Sequence, residues 1–331
     1  MRFSKMVLGV GLLCLGACEP AERLETETVG QEEVGTARGL LRVAEPVRGQ
    51  YIVTFNDKLK GSVGAEARAL AAAHGGEVLF VYEHALRGFA VKMPEAAALA
   101  LTRNPLVAQV EEDAVSHGSA YTQNTVANSP LSFWGLDRID QRTLPLSNTF
   151  SLTRTGRGVN VYVLDSGIFT AHQDFNYGYT LAGARAFGAY TAVNDGNGTN
   201  DCHGHGTHVA GTIGGYFSGV AKDAYLHAVR VLDCNNAGTA SGAIAGMDWV
   251  RANAVKPAVA NMSIGFGGRV SSAEIAMTNL INSGVAMVVS AGNSNVDACT
   301  ATPGAVTAAI VTGATNSADN RASFSNFGSC L

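Results

Sequence analysis

The amino-acid sequence predicts an α/β protein in two parts: a small ferredoxin-like α+β unit, then a larger open parallel sheet layered between helices. Three observations carry that expectation. Short continuous apolar runs recur with helical patterns between them, the βαβ rhythm of strands buried on both faces. The composition suits a packed chain, with 47% hydrophobic and 15% charged residues. Glycine supplies 39 of the 331 residues, which fits elements whose backbones approach closely. The same numbers exclude whole classes. A disordered chain needs low hydrophobicity and high net charge, and a collagen needs a G-X-Y period. A net charge of −4 argues against nucleic acid as a partner.

Taken in order, residues 1–17 read as a signal peptide of the lipoprotein type. Arg2 and Lys5 precede the apolar run MVLGVGLLCLGA, which is too short to span a bilayer. Leu15-Gly16-Ala17-Cys18 resembles a bacterial lipobox, making Cys18 the expected lipidation site. Ordinary secretion is the alternative, and both readings export the chain. Residues 18–46 are Glu-rich without apolar periodicity, an acidic tether.

Residues 47–117 give strands at Gln50–Phe55, Glu77–Tyr82, Ala85–Lys92 and Val107–Val115. Helices fall over Val63–His74, closed by Gly75-Gly76, and Glu95–Arg103, opened by Pro94. That β-α-β-β-α-β order defines the ferredoxin-like unit. Across 118–331, strands are expected at Val159–Leu164, Leu226–Leu232, Ala258–Ile264, Val285–Val289 and Ala308–Val311. Helices are expected at His205–Ile213, Ser241–Ala254 and Ala273–Asn282. In such sheets, sites gather at the carboxyl ends of the strands.

Three segments carry chemistry. Asp165 closes the strand VNVYVL ahead of Ser166-Gly167, where a carboxylate is held rigidly; a turn-initiating Asp is the plainer account of it alone. In DCHGHGTHVAGT, His203, His205 and His208 invite a zinc reading. A histidine flanked by glycines at a helix start instead suits a neutral base, and with Asp165 the base is favoured at His205. A buried strand ending in Ser290-Ala291-Gly292-Asn293 presents a side-chain amide suited to an oxyanion, although Asn is also a common turn residue.

Together VLDSGI, HGTHVAGT and SAGN resemble signatures of the subtilisin-like serine proteases, in the branch of proteinase K and aqualysin. The likeness runs from Trp134 to Cys330, and the preceding unit resembles that family's propeptide, an intramolecular chaperone and inhibitor. The resemblance implies a subtilisin-like three-layer αβα fold and peptide-bond hydrolysis by an exported, monomeric zymogen. Asp165 would orient His205, the general base, and Asn293 would stabilise the oxyanion. Asn236, Ala237 and Gly238, with Ser263, Ile264 and Gly265, would pair with an extended substrate. Ser290, Ala291 and Gly292 would line the pocket before the scissile bond, and self-cleavage is expected between about His117 and Asn128.

The sequence departs from the family at the nucleophile. No Gly-Thr-Ser-Met-Ala motif occurs in these 331 residues, so the reactive serine is expected beyond Leu331 and the chain as written is expected to be inactive. A lipid-anchored, non-catalytic peptide-binding protein is the competing reading, with a zinc hydrolase third.

Four cysteines outside the signal region allow three pairings. The resemblance implies Cys202–Cys234 and Cys299–Cys330. It also implies structural Ca²⁺ and no catalytic metal, with the carbonyls of Thr307 and Ala309 at one calcium site and Asp137, Asp140 and Gln141 at another. Plain exposed loop acids are the simpler account of the second set.

Overall fold

The computed structural model describes residues 39–119, 133–178, 180 and 182–331. The signal segment, Cys18 and most of the acidic tether lie outside the described residues.

The first part contains β1 (Leu40–Leu41), β2 (Pro46–Phe55), α1 (Val63–Ala73), β3 (Glu77–Tyr82), β4 (Gly88–Lys92), α2 (Glu95–Leu101) and β5 (Val107–Gly118). Its sheet order is β1-β5-β2-β4-β3, antiparallel except where β1 lies parallel to β5. The period of two along a strand decides which residue meets which layer. Tyr51, Val53, Phe55, Phe89 and Val91 face α1 and α2, around Ala67, Leu70 and Leu101. Ser62 starts α1 by accepting the Ala65 N–H at 3.2 Å.

The second part contains α3 (Trp134–Ile139), β6 (Asn160–Asp165), β7 (Ala186–Thr191), α4 (His205–Gly214), β8 (Tyr225–Arg230), β9 (Ala237–Thr239) and α5 (Ala240–Asn253). It continues through β10 (Ala258–Met262), β11 (Ile264–Phe266), α6 (Ser271–Asn282), β12 (Ala286–Ser290) and β13 (Ile310–Thr312). Six strands form a parallel sheet in the order β13-β12-β10-β6-β8-β7. Val161 and Val163 of β6 pack towards Ala210 of α4. Tyr162 and Leu164, one register away, join the core built with α5 and α6. Helices therefore cover both faces, as expected.

The same core receives Ile52, Tyr82, Leu86 and Ala90 from the first part. The small sheet thus has one face on its own helices and the other on α5 and α6. Polar groups fix that union. The Tyr82 hydroxyl donates to the Ser241 carbonyl at 3.1 Å. Asp248 of α5 accepts the N–H groups of Glu83, His84 and Ala85 at 3.2, 2.7 and 2.6 Å. From β5, Asp113 accepts the N–H and hydroxyl of Ser241 (2.9 and 2.5 Å), and Glu111 accepts the N–H groups of Ser271 and Ser272 (2.9 and 2.8 Å). Two buried carboxylates on one strand therefore occupy the N-termini of two helices, where unpaired N–H groups and the helix dipole favour negative charge.

Several boundaries differ from the sequence reading. The expected tether over 18–46 ends early. Leu40–Leu41 pairs with β5, the Glu45 carbonyl accepts the Val115 N–H at 2.9 Å, and Arg42 bridges Glu95 and Glu112. Charge dominated the composition there, while the pairing is with a strand some seventy residues on. The expected strand Ala85–Lys92 starts at Gly88, because the three residues before it form the turn over α5. Ala258–Ile264 divides at Ser263 into β10 and β11.

Burial pushes the Asp113 carboxyl up to about 6 despite its Ser241 donors. A carboxyl raised from 3.8 to about 6 on folding adds most stability when protonated, and that contribution is lost as pH rises through this window. Asp113→Asn should therefore flatten the pH dependence of stability between about 4 and 6. Urea midpoints measured across this range check it, and an unchanged slope refutes it.

Candidate active site

Asp165 is the last residue of β6, a central strand between β10 and β8, and is fully buried. Its Oδ1 accepts the Ser166 N–H at 2.7 Å and faces His205 Nδ1 at 2.7 Å. Its Oδ2 is buried without a hydrogen-bond partner among the described residues. His205 is the first residue of α4. The helix comes this near because Gly206 has no side chain: a Cβ there would lie 3.1 Å from Asp165 Cβ and collide with the Gly167 carbonyl.

The cap preceding His205 is Gly204, with φ +103° and no capping side chain. Asp201 takes over that task. Its Oδ1 accepts the N–H groups of His203 and Gly204 (3.0 and 2.8 Å) and the Ser166 hydroxyl (2.9 Å). Its Oδ2 accepts the N–H and hydroxyl of Thr207 (2.8 and 2.6 Å). Ser166 Oγ in turn accepts the Gly206 N–H at 2.9 Å. One carboxylate and one hydroxyl thereby satisfy the first turn of α4 and tie it to the end of β6. Sequence reasoning missed Asp201; its signal was an acid four residues before His205.

Burial alone pulls the His205 imidazole down. The Asp165 hydrogen bond and charge, a hydrogen bond to the Ser119 main chain and the Asp201 charge outweigh it, so His205 titrates above its ordinary value. The neutral state expected from the helix start is opposed by these acceptors. His203 and His208 are exposed, and His203 Nδ1 accepts the His205 N–H at 3.3 Å.

The expected substrate edges lie on either side of β5. Ser116 and His117 pair with Gly238 and Ala237 of β9. On the other side Phe266, Gly265 and Ile264 of β11 pair with Ser116, His117 and Gly118. The Gly118 N–H donates to the Asn236 carbonyl at 3.0 Å, and the Ser119 N–H to the Ser263 carbonyl at 2.9 Å. The Ser119 and Ser290 hydroxyls lie 3.1 Å apart. The chain's own strand thus runs through the cleft as its middle strand and ends beside His205.

Ala291, Gly292 and Asn293 follow β12 at the same end of the sheet as Asp165. Gly292 has φ +101°, a left-handed turn that suits glycine. Asn326, also missed from sequence, shapes this loop: its Nδ2 donates to the Ala291 carbonyl (2.9 Å), and its Oδ1 accepts the N–H groups of Ser294 and Val296 (2.9 and 3.1 Å).

Both expected disulfides are present, Cys202–Cys234 and Cys299–Cys330. The first joins the segment before His205 to the turn before β9. Beside it, buried Arg230 holds Asp195 through two bonds of 2.7 and 2.6 Å. Asp195, Cys202 and Cys234 converge, yet both sulfurs are bonded and the carboxylate is paired, so the cluster is a structural tie.

One of the two calcium candidate sets, Asp137, Asp140 and Gln141, gathers at the C-terminal end of α3. Asp137 is buried rather than exposed and accepts the N–H groups of Ser147 and Asn148 (3.0 and 2.7 Å). Asp140 accepts the Ser151 N–H at 2.6 Å, and Gln141 Oε1 the Ser147 N–H at 3.0 Å. Two carboxylates, an amide oxygen and the Ser147 hydroxyl are hard donors that fit Ca²⁺. Thr307 and Ala309 lie just before β13.

Strand-end carboxylate, helix-start imidazole and an extended peptide beside them define a hydrolase-type acid–base site. Comparison with known proteins agrees. Residues 156–331 match the Subtilase family and residues 50–117 match peptidase inhibitor I9. The chain is 44% identical to the extracellular serine proteinase of Thermus sp. (strain Rt41A), over all of this chain and 80% of that protein. It is also 44% identical to alkaline serine exoprotease A of Vibrio alginolyticus, over 77% of this chain but 46% of that protein. A solved structure titled as a cold adapted subtilisin-like serine proteinase is similar at 47% identity and TM-score 0.56, covering 60% of this chain and 70% of that one. The chain belongs to the subtilase family of serine proteases, with an I9 propeptide domain at its N-terminal side.

Asp165→Asn should lower the His205 pKa, because burial then acts against the imidazolium with its main partner gone. Titration of the His205 ring by NMR reads this, and an unchanged value refutes the coupling.

Proposed function

We propose that this chain comprises the propeptide and the greater part of the peptidase domain of an exported serine endopeptidase zymogen. The observation that carries the reading is the buried Asp165–His205 pair, 2.7 Å apart, with the peptide strand ending beside it. In this reading His205 removes the proton from a serine hydroxyl as it attacks the scissile carbonyl, then returns it to the leaving amine. Asp165 orients the ring and stabilises the imidazolium. Asn293 donates its side-chain amide to the tetrahedral oxyanion. The serine itself is proposed to lie in residues that follow Leu331, so the 331-residue chain binds a peptide strand without cleaving it.

The register supports Ser119–Ala120 as the bond cut on maturation. Ser119 reaches Ser263 and Ser290 and hydrogen-bonds His205 through its main chain. After cleavage the I9 domain would stay in place as inhibitor, held by Glu111, Asp113 and the β5 pairing. Calcium would be held by Asp137, Asp140 and Gln141, and a second ion by the Thr307 and Ala309 carbonyls. Such ions would tie surface loops and take no part in the proton transfers. Export is proposed through the signal segment, with Cys18 as lipid anchor and the mature enzyme a monomer.

The coding sequence beyond Leu331 tests the central claim. A Gly-Thr-Ser-Met-Ala motif there is expected, and a stop codon directly after Leu331 overturns it in favour of an anchored peptide-binding protein. With the motif present, a product beginning at Ala120 should appear by mass spectrometry. His205→Ala should abolish it, and continued processing by that variant refutes the assignment.

A further inference from the structure

We propose that the Asn236 side chain closes the subsite two residues before the scissile bond, so that the cleft accepts glycine there and excludes larger residues. The inference rests on the register proposed above, in which Gly118 occupies that place.

Gly118 is buried at the end of β5. A Cβ built on it would lie 2.5 Å from Asn236 Cγ and closer still to both terminal atoms of the carboxamide. No other residue comes as near. The glycine is not required by its own backbone, since Gly118 is absent from the positive-φ positions. The three nearest atoms all belong to that one side chain.

That side chain is set by a rigid turn. Asn236 has φ +60°, its N–H donates to the Asp233 carbonyl at 3.1 Å, and its carbonyl accepts the Gly118 N–H at 3.0 Å. The Asp233 carboxylate accepts the N–H groups of Asn235 and Ala237 at 2.8 and 3.0 Å. Cys234, disulfide-bonded to Cys202, anchors the same turn. The backbone of Asn236 thus pairs with the peptide while its carboxamide lies over Gly118, with Oδ1 buried and lacking a hydrogen-bond partner. A residue larger than glycine would have to displace the amide, on a turn tied by these hydrogen bonds and the disulfide.

The sign of one substitution tests this on the 331-residue chain without any catalysis. Replacing Gly by Ala at an unstrained, unobstructed position stabilises by restricting the unfolded chain. Gly118→Ala should instead lower the melting temperature, by several degrees for an overpacking conflict of ordinary size. In an Asn236→Gly background the same change should raise it or leave it unaltered. Stabilisation by Gly118→Ala with Asn236 intact, or an equal loss in both backgrounds, overturns the proposal. On the mature enzyme, peptides with Gly at that position should be cleaved at least tenfold faster than peptides with Ala, and Asn236→Gly should bring the ratio near one. If no peptide is cleaved, the proposed activity fails while the melting comparison still decides the subsite.

Discussion

One strand belongs to two sheets, and most of the arrangement depends on it. β5 begins as the partner of β2 in the small sheet and ends between β9 and β11 in the cleft. Its register is set at the first end by apolar side chains and read out at the other by backbone hydrogen bonds. A slip of β5 by one residue would turn its Val107 and Val110 out of their core and would withdraw Glu111 and Asp113 from the helices they cap. The position of Ser119 against His205 therefore follows from packing some ten residues upstream.

The polar part of that union is a contest. Helix N-termini favour ionised Glu111 and Asp113, but burial raises both carboxyls, and for Asp113 burial wins even against a hydroxyl and N–H donors. The apolar side has no such conflict. Ile52, Tyr82 and Ala90 are fully buried against α5 and α6, and the small sheet would lose that burial on leaving. The I9 domain gains much of its core from the domain it covers.

The sequence made legible what is local and repetitive. Continuous apolar runs mark the buried parallel strands, and Asp165 and His205 stand in short local motifs that the fold brings to 2.7 Å. Less visible was everything whose partner is distant. β9 and β11 are three residues each, too short for a periodic signal, and are strands only because β5 lies between them. Leu40–Leu41 was masked by surrounding charge. Asp201 and Asn326 look like ordinary loop residues, and their importance comes from several N–H groups that folding gathers around one side chain. Asp137 reads from sequence as a calcium candidate or, more simply, an exposed loop acid, and its burial beneath Ser147 and Asn148 changes the second account.

The cleft binds through main-chain pairing on both edges, and such pairing cannot distinguish one amino acid from another. Discrimination must come from the side chains that line the strand, and the turn before β9 concentrates that control. Cys202–Cys234 joins it to the segment that ends in His205, and Arg230 braces the joint from below through Asp195. A displacement of this turn would alter both the imidazole's surroundings and the space over Gly118. The turn over Gly118 and the segment that ends in His205 are thus held by one covalently tied corner.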